Sequence, residues 1–306
     1  MIDISLIREH PDIVKENIKK KNQNKKLKLV NDIVKLDKKW RQEKKKTDDL
    51  RHERNKVSEE INKAKKARNE KKAEEMINKA KQMPQKIEKA EEKEGKLRQK
   101  LDNALSEIPN IISDNVPIGR DDSDNVVEKE IGKPKTMNFN VKGHVQLIEE
   151  LGIGDFESSS RVAGKGFYYL EAELALLNQA LIRYAIDKMV SKGFRYVETP
   201  LILNGDVMKK VTDLHDQKNM VYKIDNEDLY LIGTSEHSLI GRFVGQEIDS
   251  KELPIKQTSY SMCFRKEIGS HGIDEKGLFR THQFNKVEMI VICKPEDSDN
   301  FYQEMK

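Results

Sequence analysis

The chain has 306 residues, enough for two domains, with 36% hydrophobic and 36% charged content and a net charge of +4. No apolar run approaches the roughly 18 residues that span a bilayer, residues 1–5 lack a signal-peptide core, and Cys263 and Cys293 lack Cys-x-x-Cys spacing. A membrane helix and a disulfide scaffold are therefore excluded, and a cytoplasmic protein with two buried thiols is expected.

The small net charge hides an asymmetry. Residues 15–100 hold 31 Lys and Arg against 16 Asp and Glu, a balance of +15, while the remainder holds 26 against 37, a balance of −11. Within the basic part, alternating steps of four and three run through Leu29, Ile33, Leu36, Trp40, Glu43, Thr47, Leu50, Arg54, Val57, Ile61, Ala64 and Arg68. A second track runs through Ala73, Met76, Ala80, Met83, Ile87, Ala90, Glu94, Leu97, Leu101, Ala104 and Ile108. Sustained heptads of this kind predict a coiled coil. The polar stretch 68–72 divides it into nearly equal halves, so an antiparallel hairpin over about 29–107 follows, roughly 60 Å long at 1.5 Å per residue. Pro84 removes one helix hydrogen bond and predicts a kink. Such a seam also suits a dimerisation coil, but the excess of lysines on the outer faces suits a phosphate backbone.

Residues 113–134, rich in Asp, Asn, Gly and Pro, read as a linker. A short helix is predicted over 144–151. Leu170, Leu174, Leu177, Leu181, Tyr184 and Met189 then recur at helical spacing, Gly193 stands where a helix stops, and 194–199 read as a strand closed by Pro200. A last helix is predicted over 297–305.

Two further strands carry the chemistry. Tyr260, Cys263 and Phe264 favour the first; Phe284, Val287, Met289, Ile290 and Val291 favour the second. Alternation would place Arg265 and Glu267 on one face of the first, and His282, Phe284, Lys286 and Glu288 on one face of the second. A guanidinium, two carboxylates and an aromatic ring on one surface suit a nucleotide and a small zwitterion better than a core. Between the strands, residues 268–277 hold Gly269, Gly272, Gly277 and His271 and exceed the length of an ordinary hairpin loop, which predicts a mobile element. His237 has no metal-ligand spacing around it, and no protein metal site is expected.

Phe264-Arg265-Lys266-Glu267, Phe279-Arg280-Thr281-His282-Gln283-Phe284 and Lys286-Val287-Glu288 resemble motif 2 of the class II aminoacyl-tRNA synthetases, in the form of the seryl-tRNA synthetase family. Residues 193–200 resemble motif 1, and Thr234-Ser235-Glu236-His237 resembles the family's Thr-x-Glu amino-acid loop, although relatives often have proline where Gly233 and Ser238 stand. Ile108-Pro109-Asn110, Val116-Pro117-Ile118-Gly119 and the N-terminal arm extend the resemblance over essentially the whole chain.

The resemblance implies an α+β fold. Residues 1–110 would form a tRNA-binding helical domain with the antiparallel coiled-coil hairpin. Residues 111–306 would form a partial class II synthetase domain, an antiparallel β-sheet flanked by helices. It implies ATP-dependent activation of L-serine to seryl-adenylate, with Mg2+, and transfer to tRNA(Ser), whose long variable arm would meet the hairpin. Arg265 would be the catalytic residue, bridging the α-phosphate and the serine carboxylate. ATP would also meet Lys266, Glu267, Thr281, His282 and Phe284, with Phe284 stacking on adenine and Glu267 accepting from its amino group. Serine would meet Thr234, Ser235, Glu236, Arg265 and Glu288. Pro200 would lie at a homodimer interface, and the 268–277 loop would touch the tRNA acceptor end.

A third family motif, a Gly-rich turn and helix with an arginine for the terminal phosphate, has no counterpart before Lys306, nor has the Glu-x-Ser-Ser segment that precedes it. The chain reads as C-terminally truncated, expected to bind tRNA but not to form seryl-adenylate by itself. The alternatives are a catalytically incomplete tRNA-binding or regulatory synthetase-like protein, and an enzyme that charges a carrier protein, a class without the long hairpin. Intact Arg265, Glu267, Phe284 and Glu288 favour the ligase.

Overall fold

A computed structural model describes residues 2–213, 219–267 and 277–306, which fall into two compact units, Met1–Gly132 and Lys133–Lys306. Most of the glycine-containing loop expected to be mobile, His271 included, lies outside the described residues.

The first unit is helical. Helices α1 (Ile4–Glu9) and α2 (Pro11–Lys20) precede two long helices, α3 (Leu27–Lys66) and α4 (Glu70–Ser106). The heptad tracks become the seam: Ile33, Glu43, Thr47, Val57 and Ala64 of α3 are buried, as are Ala73, Met83, Ile87, Ala90, Leu101 and Ala104 of α4. Ion pairs between Glu43 and Lys93, Arg51 and Glu91, Glu53 and Lys79, and Glu60 and Lys72 descend one helix as they ascend the other, so the helices run antiparallel. The turn is tight: Arg68 takes a left-handed φ of 52°, and the Asn69 side chain caps α4 by accepting from the Lys72 N–H at 3.1 Å. Helix α4 continues unbroken through Pro84.

At the base of the hairpin, Ile7, Val14, Ile18, Val30, Ile33, Leu101, Leu105 and Ile108 form one apolar cluster. The Asn17 amide donates to the Asn110 carbonyl and its oxygen accepts from the Ile112 N–H, at 3.1 and 3.0 Å, which ties the outgoing chain to α2. Asp37 lies off the predicted seam yet only 1% of its side chain is exposed. Burial pushes its carboxyl up, but the Arg8 fork, at 2.9 and 3.0 Å, and then Arg41 outweigh this and hold it below the ordinary value. Arg8→Ala is expected to destabilise this unit by about 2 kcal/mol, less than full loss of a buried pair because Arg41 remains. The sign with pH follows from the depressed value: the stabilisation is present above the unfolded carboxyl's value near 3.9 and is lost as pH falls through the folded one. Urea titrations at pH 7 and pH 3 check both points, since the difference between Arg8→Ala and the parent should shrink in acid.

The second unit is α+β. Strand β1 (Gly154–Asp155) pairs with β2 (Tyr169–Leu170), and β4 (Ile202–Asn204) with β5 (Leu229–Leu231), both antiparallel. The main sheet is mixed: β3 (Arg195–Tyr196) runs parallel to β6 (Ile255–Phe264), which pairs antiparallel with β7 (Gln283–Ile292) over ten residues. The strand expected over 194–199 is thus shorter than its sequence suggested. Helices α5 (His144–Leu151) and α6 (Phe156–Ala163) flank β1, α7 (Ala172–Ser191) packs on β6 and β7, α8 (Gly205–Val211) follows β4, α9 (Ser235–Gly241) follows β5, and α10 (Ser298–Met305) ends the chain.

Helix α7 forms where the helical spacing predicted it. Leu174, Ala175, Asn178, Ile182, Ala185, Ile186 and Met189 are its half-buried stripe. Leu177, Leu181 and Tyr184, which belong to the same helical series as Leu174 and Met189, are exposed together with Leu176 at 71%. The helical period was right, but it contains two apolar stripes, and the unit's own sheet uses only one. Cys263 is buried, with burial raising its thiol, and Cys293 is half-buried; both are free thiols.

Candidate active site

The β6–β7 ladder brings the site together. Cys263 faces Phe284, Ser261 faces Lys286 and Ser259 faces Glu288. Pairing continues one step beyond the strands, with the Arg265 N–H donating to the His282 carbonyl at 2.9 Å. The Arg265 guanidinium lies over the Phe284 ring, 5.0 Å from its centroid, and its Nε donates to the Gly233 carbonyl at 3.1 Å. The other guanidinium N–H groups hold no hydrogen bond among the described residues and remain available to an anion.

Helix α9 presents its N-terminus to the same place. Thr234 caps it, and the Thr234 hydroxyl donates to Glu288 Oε2 at 2.7 Å while accepting from Lys286 Nζ at 3.1 Å and from the Glu236 N–H at 3.3 Å. One donor and two acceptor positions are all a hydroxyl has, so this one is saturated. Lys286 also pairs directly with Glu288. Gly233, Thr234, Glu236, His237, Arg265 and Lys286 line a cavity of 330 Å³, at the small end of the range for ligand sites. Ser235 and Glu288 do not line it: the buried Ser235 side chain donates to the Ser259 carbonyl at 3.4 Å, and Glu288 adjoins it through Thr234 and Lys286. The Pro200 carbonyl accepts from the Ser238 hydroxyl at 2.7 Å, behind α9.

The remaining candidates fall differently from their strand-based placement. Strand β6 ends at Phe264, and Glu267 takes a left-handed φ of 48°, so the rule of alternation does not reach it. Its carboxylate instead lies 3.4 Å from Arg280 Nε. Lys266 stands over the Tyr222 ring, 6.0 Å from its centroid. Buried Thr281 donates to the Gln283 carbonyl at 2.9 Å and shapes the entry to β7. His282 precedes β7: its ring stacks on Phe167 with centroids 5.3 Å apart, and its Nδ1 lies 2.9 Å from the Arg265 carbonyl and 3.1 Å from the Tyr222 hydroxyl. Gly166 permits this, since an added Cβ would sit 2.7 Å from the imidazole. A larger hollow of 880 Å³, bordered by Arg161, Lys165, Asp155, Glu157 and Phe167, holds none of the candidate residues.

Sequence reading missed two contributors. Lys286 was on the expected face but had no role, and its i, i+2 relation to Glu288 was the available signal. The Gly233 carbonyl that holds Arg265 is a backbone group and leaves no trace in residue type.

The comparisons first define a class. Residues 220–306, which hold the cavity's β6–β7 wall and α9, match the model of the tRNA synthetase class II core domain (G, H, P, S and T). Residues 1–112 match the seryl-tRNA synthetase N-terminal domain. The serine–tRNA ligase of Methanocella arvoryzae is 42% identical over 305 residues, covering 100% of this chain and 71% of that protein. That of Pyrococcus furiosus is 39% identical over 325 residues, covering 100% and 71%. The crystal structure of Pyrococcus horikoshii seryl-tRNA synthetase complexed with ATP superposes with a TM-score of 0.82 at 38% identity, covering 100% of this chain and 72% of that one. The cytoplasmic serine–tRNA ligase of Naegleria fowleri in complex with AMP superposes with a TM-score of 0.76 at 29% identity, covering 99% and 69%. The chain belongs to the seryl-tRNA synthetase family.

Proposed function

We propose that this chain carries the serine-activating site and the tRNA-binding arm of a serine–tRNA ligase. The serine carboxylate attacks the α-phosphorus of ATP, pyrophosphate leaves, and the seryl group passes to tRNA(Ser). A free α-carboxyl titrates near roughly 3.5, so the nucleophile is ionised at neutral pH and needs no general base. Catalysis then rests on positioning and on countering charge at phosphorus. The single observation that carries this reading is the convergence of Arg265, Thr234, Glu236 and Lys286 on one 330 Å³ cavity.

Arg265 is fixed by Gly233 and Phe284 with its remaining N–H groups open, and bridges the serine carboxylate and the α-phosphate. Glu236 takes the serine ammonium and Glu288 the hydroxyl, while Thr234 holds Glu288 and Ser235 braces α9 against β6. On the ATP side, Phe284 offers adenine a ring face, Glu267 accepts from its amino group and Lys266 supplies an ammonium. Thr281 and His282 set the backbone from which these residues reach ATP. Among the described residues no cluster of three His, Cys, Asp or Glu could hold a metal. Mg2+ would enter with the phosphates of ATP, whose charge it would neutralise.

The basic arm binds the tRNA backbone. Lys35, Lys38, Lys45, Lys56, Lys66 and Lys89 are among its exposed lysines that hold no ion pair within the described residues. The uncovered stripe of α7 supports a homodimer, to whose interface we assign Pro200 by likeness to the family. Leu181→Glu is then expected to weaken self-association by about 100-fold, read by sedimentation against the parent. We place the reaction in the cytoplasm by likeness to the Naegleria relative; no helix among the described residues is long and apolar enough to cross a membrane.

Aminoacylation tests the proposal. The protein at its full encoded length should attach serine to tRNA(Ser) and lose most of that activity on a transcript with a shortened variable arm. Failure to attach serine to any tRNA would overturn it.

A further inference from the structure

Two carboxylates at this site are not equivalent: Glu236 lines the cavity, whereas Glu288 adjoins it through Thr234 and Lys286, which line it. Glu236 is exposed on its rim, and no ion pair holds its carboxylate among the described residues. Glu288 is 17% exposed, paired with the Lys286 ammonium and hydrogen-bonded by Thr234. Glu236 brings a negative charge that no ion pair cancels among the described residues. Glu288, counted with Lys286, brings none.

This difference has a consequence for recognition. An unpaired carboxylate attracts an ammonium group, whereas a carboxylate already neutralised gains little from a second cation and meets repulsion between the two ammonium groups. It still has lone pairs to accept from a neutral hydroxyl. Resting on the serine-activating reading above, we propose that Lys286 sets specificity by neutralising Glu288. The site thereby takes a small amino acid with a β-hydroxyl and rejects its β-amino isostere. Discrimination against an isosteric ammonium cannot come from shape, because 2,3-diaminopropionate and serine differ by one heavy atom of nearly equal size. It has to come from charge. Lys286 is thus a positioning residue that acts through Glu288 and not on the reacting atoms.

Amino-acid-dependent pyrophosphate exchange with serine, 2,3-diaminopropionate and alanine, on the protein at its full encoded length, tests this. The parent should use serine and reject diaminopropionate. Lys286→Met should lower the serine to diaminopropionate ratio of kcat/KM by roughly 100-fold, with exchange on diaminopropionate rising in absolute terms. Lys286→Arg, which keeps the charge, should hold the ratio within about threefold. Glu288→Gln, which leaves Lys286 unpaired, should reject diaminopropionate further and so gives a second reading should the methionine variant fail to fold. If Lys286→Met lowers both substrates equally or leaves the ratio unchanged, the specificity role is wrong while the serine reading stands. Absence of serine-dependent exchange in the parent would instead remove the reading on which it rests.

Discussion

In the protein at its full encoded length, Arg265→Ala is expected to lower serine-dependent pyrophosphate exchange by about 10³-fold in kcat/KM. Among the described residues the side chain is a cavity cation with open donors: its Nε is fixed at 3.1 Å to the Gly233 carbonyl and its guanidinium carbon lies 5.0 Å from the Phe284 ring centroid. Negative charge brought by the serine carboxylate and the α-phosphate has no equivalent partner there, because Lys286 is already paired with Glu288. Arg265→Lys should recover little. An ammonium cannot grip the Gly233 carbonyl and still offer a planar fork to two oxyanions. The defect should fall mainly on kcat, because the charge that Arg265 counters grows in the transition state. Binding of tRNA should be unaffected in the same variant, which separates a local defect from unfolding. Retention of more than a tenth of the parent exchange would contradict the role.

Shortening the arm should have the second large effect, with the opposite pattern. Removing all of 29–107 would strip Val30, Ile33, Leu101 and Leu105 from the apolar cluster at the base. A cut that spares it removes residues 44–92 and closes the stub across Glu43 and Lys93, whose side chains already pair at 2.6 Å. That deletion removes Lys45, Lys56, Lys66 and Lys89. It should lower affinity for tRNA(Ser) by at least about 100-fold at 0.1 M salt and flatten the dependence of log K on log salt. Exchange of pyrophosphate, which involves no RNA, should remain within twofold of the parent. Filter binding across a salt series reads the first quantity and the exchange assay the second. Unchanged tRNA affinity would show that another surface holds the RNA.

The hairpin was legible because its signal is spacing: apolar side chains recurring every three or four residues can be buried only along one seam, and Ile33, Val57, Met83, Ile87 and Leu101 were placed on it correctly. Asp37 was not legible, since what buries it is Arg8, 29 residues earlier in the chain. In the second unit, alternation located Phe284, Lys286 and Glu288 on one face of β7. It failed at Glu267, because a strand's end and a left-handed φ are set by the loop that follows and not by β-favouring residues before it. Helix α7 shows another limit. The positions of Leu177, Leu181 and Tyr184 could be read, but whether a stripe meets the chain's own sheet or is left uncovered depends on tertiary placement.

Serine-dependent exchange of pyrophosphate into ATP by the protein at its full encoded length, run in parallel with threonine, alanine and glycine, tests the central claim most directly. If Glu236 takes the ammonium and Glu288 the hydroxyl, as proposed, the site should support exchange with serine and hold alanine and glycine at least about 10³-fold lower in kcat/KM, because the groups that meet the hydroxyl would be left unpaired. Equal exchange with alanine and serine, or exchange with neither, would contradict the account.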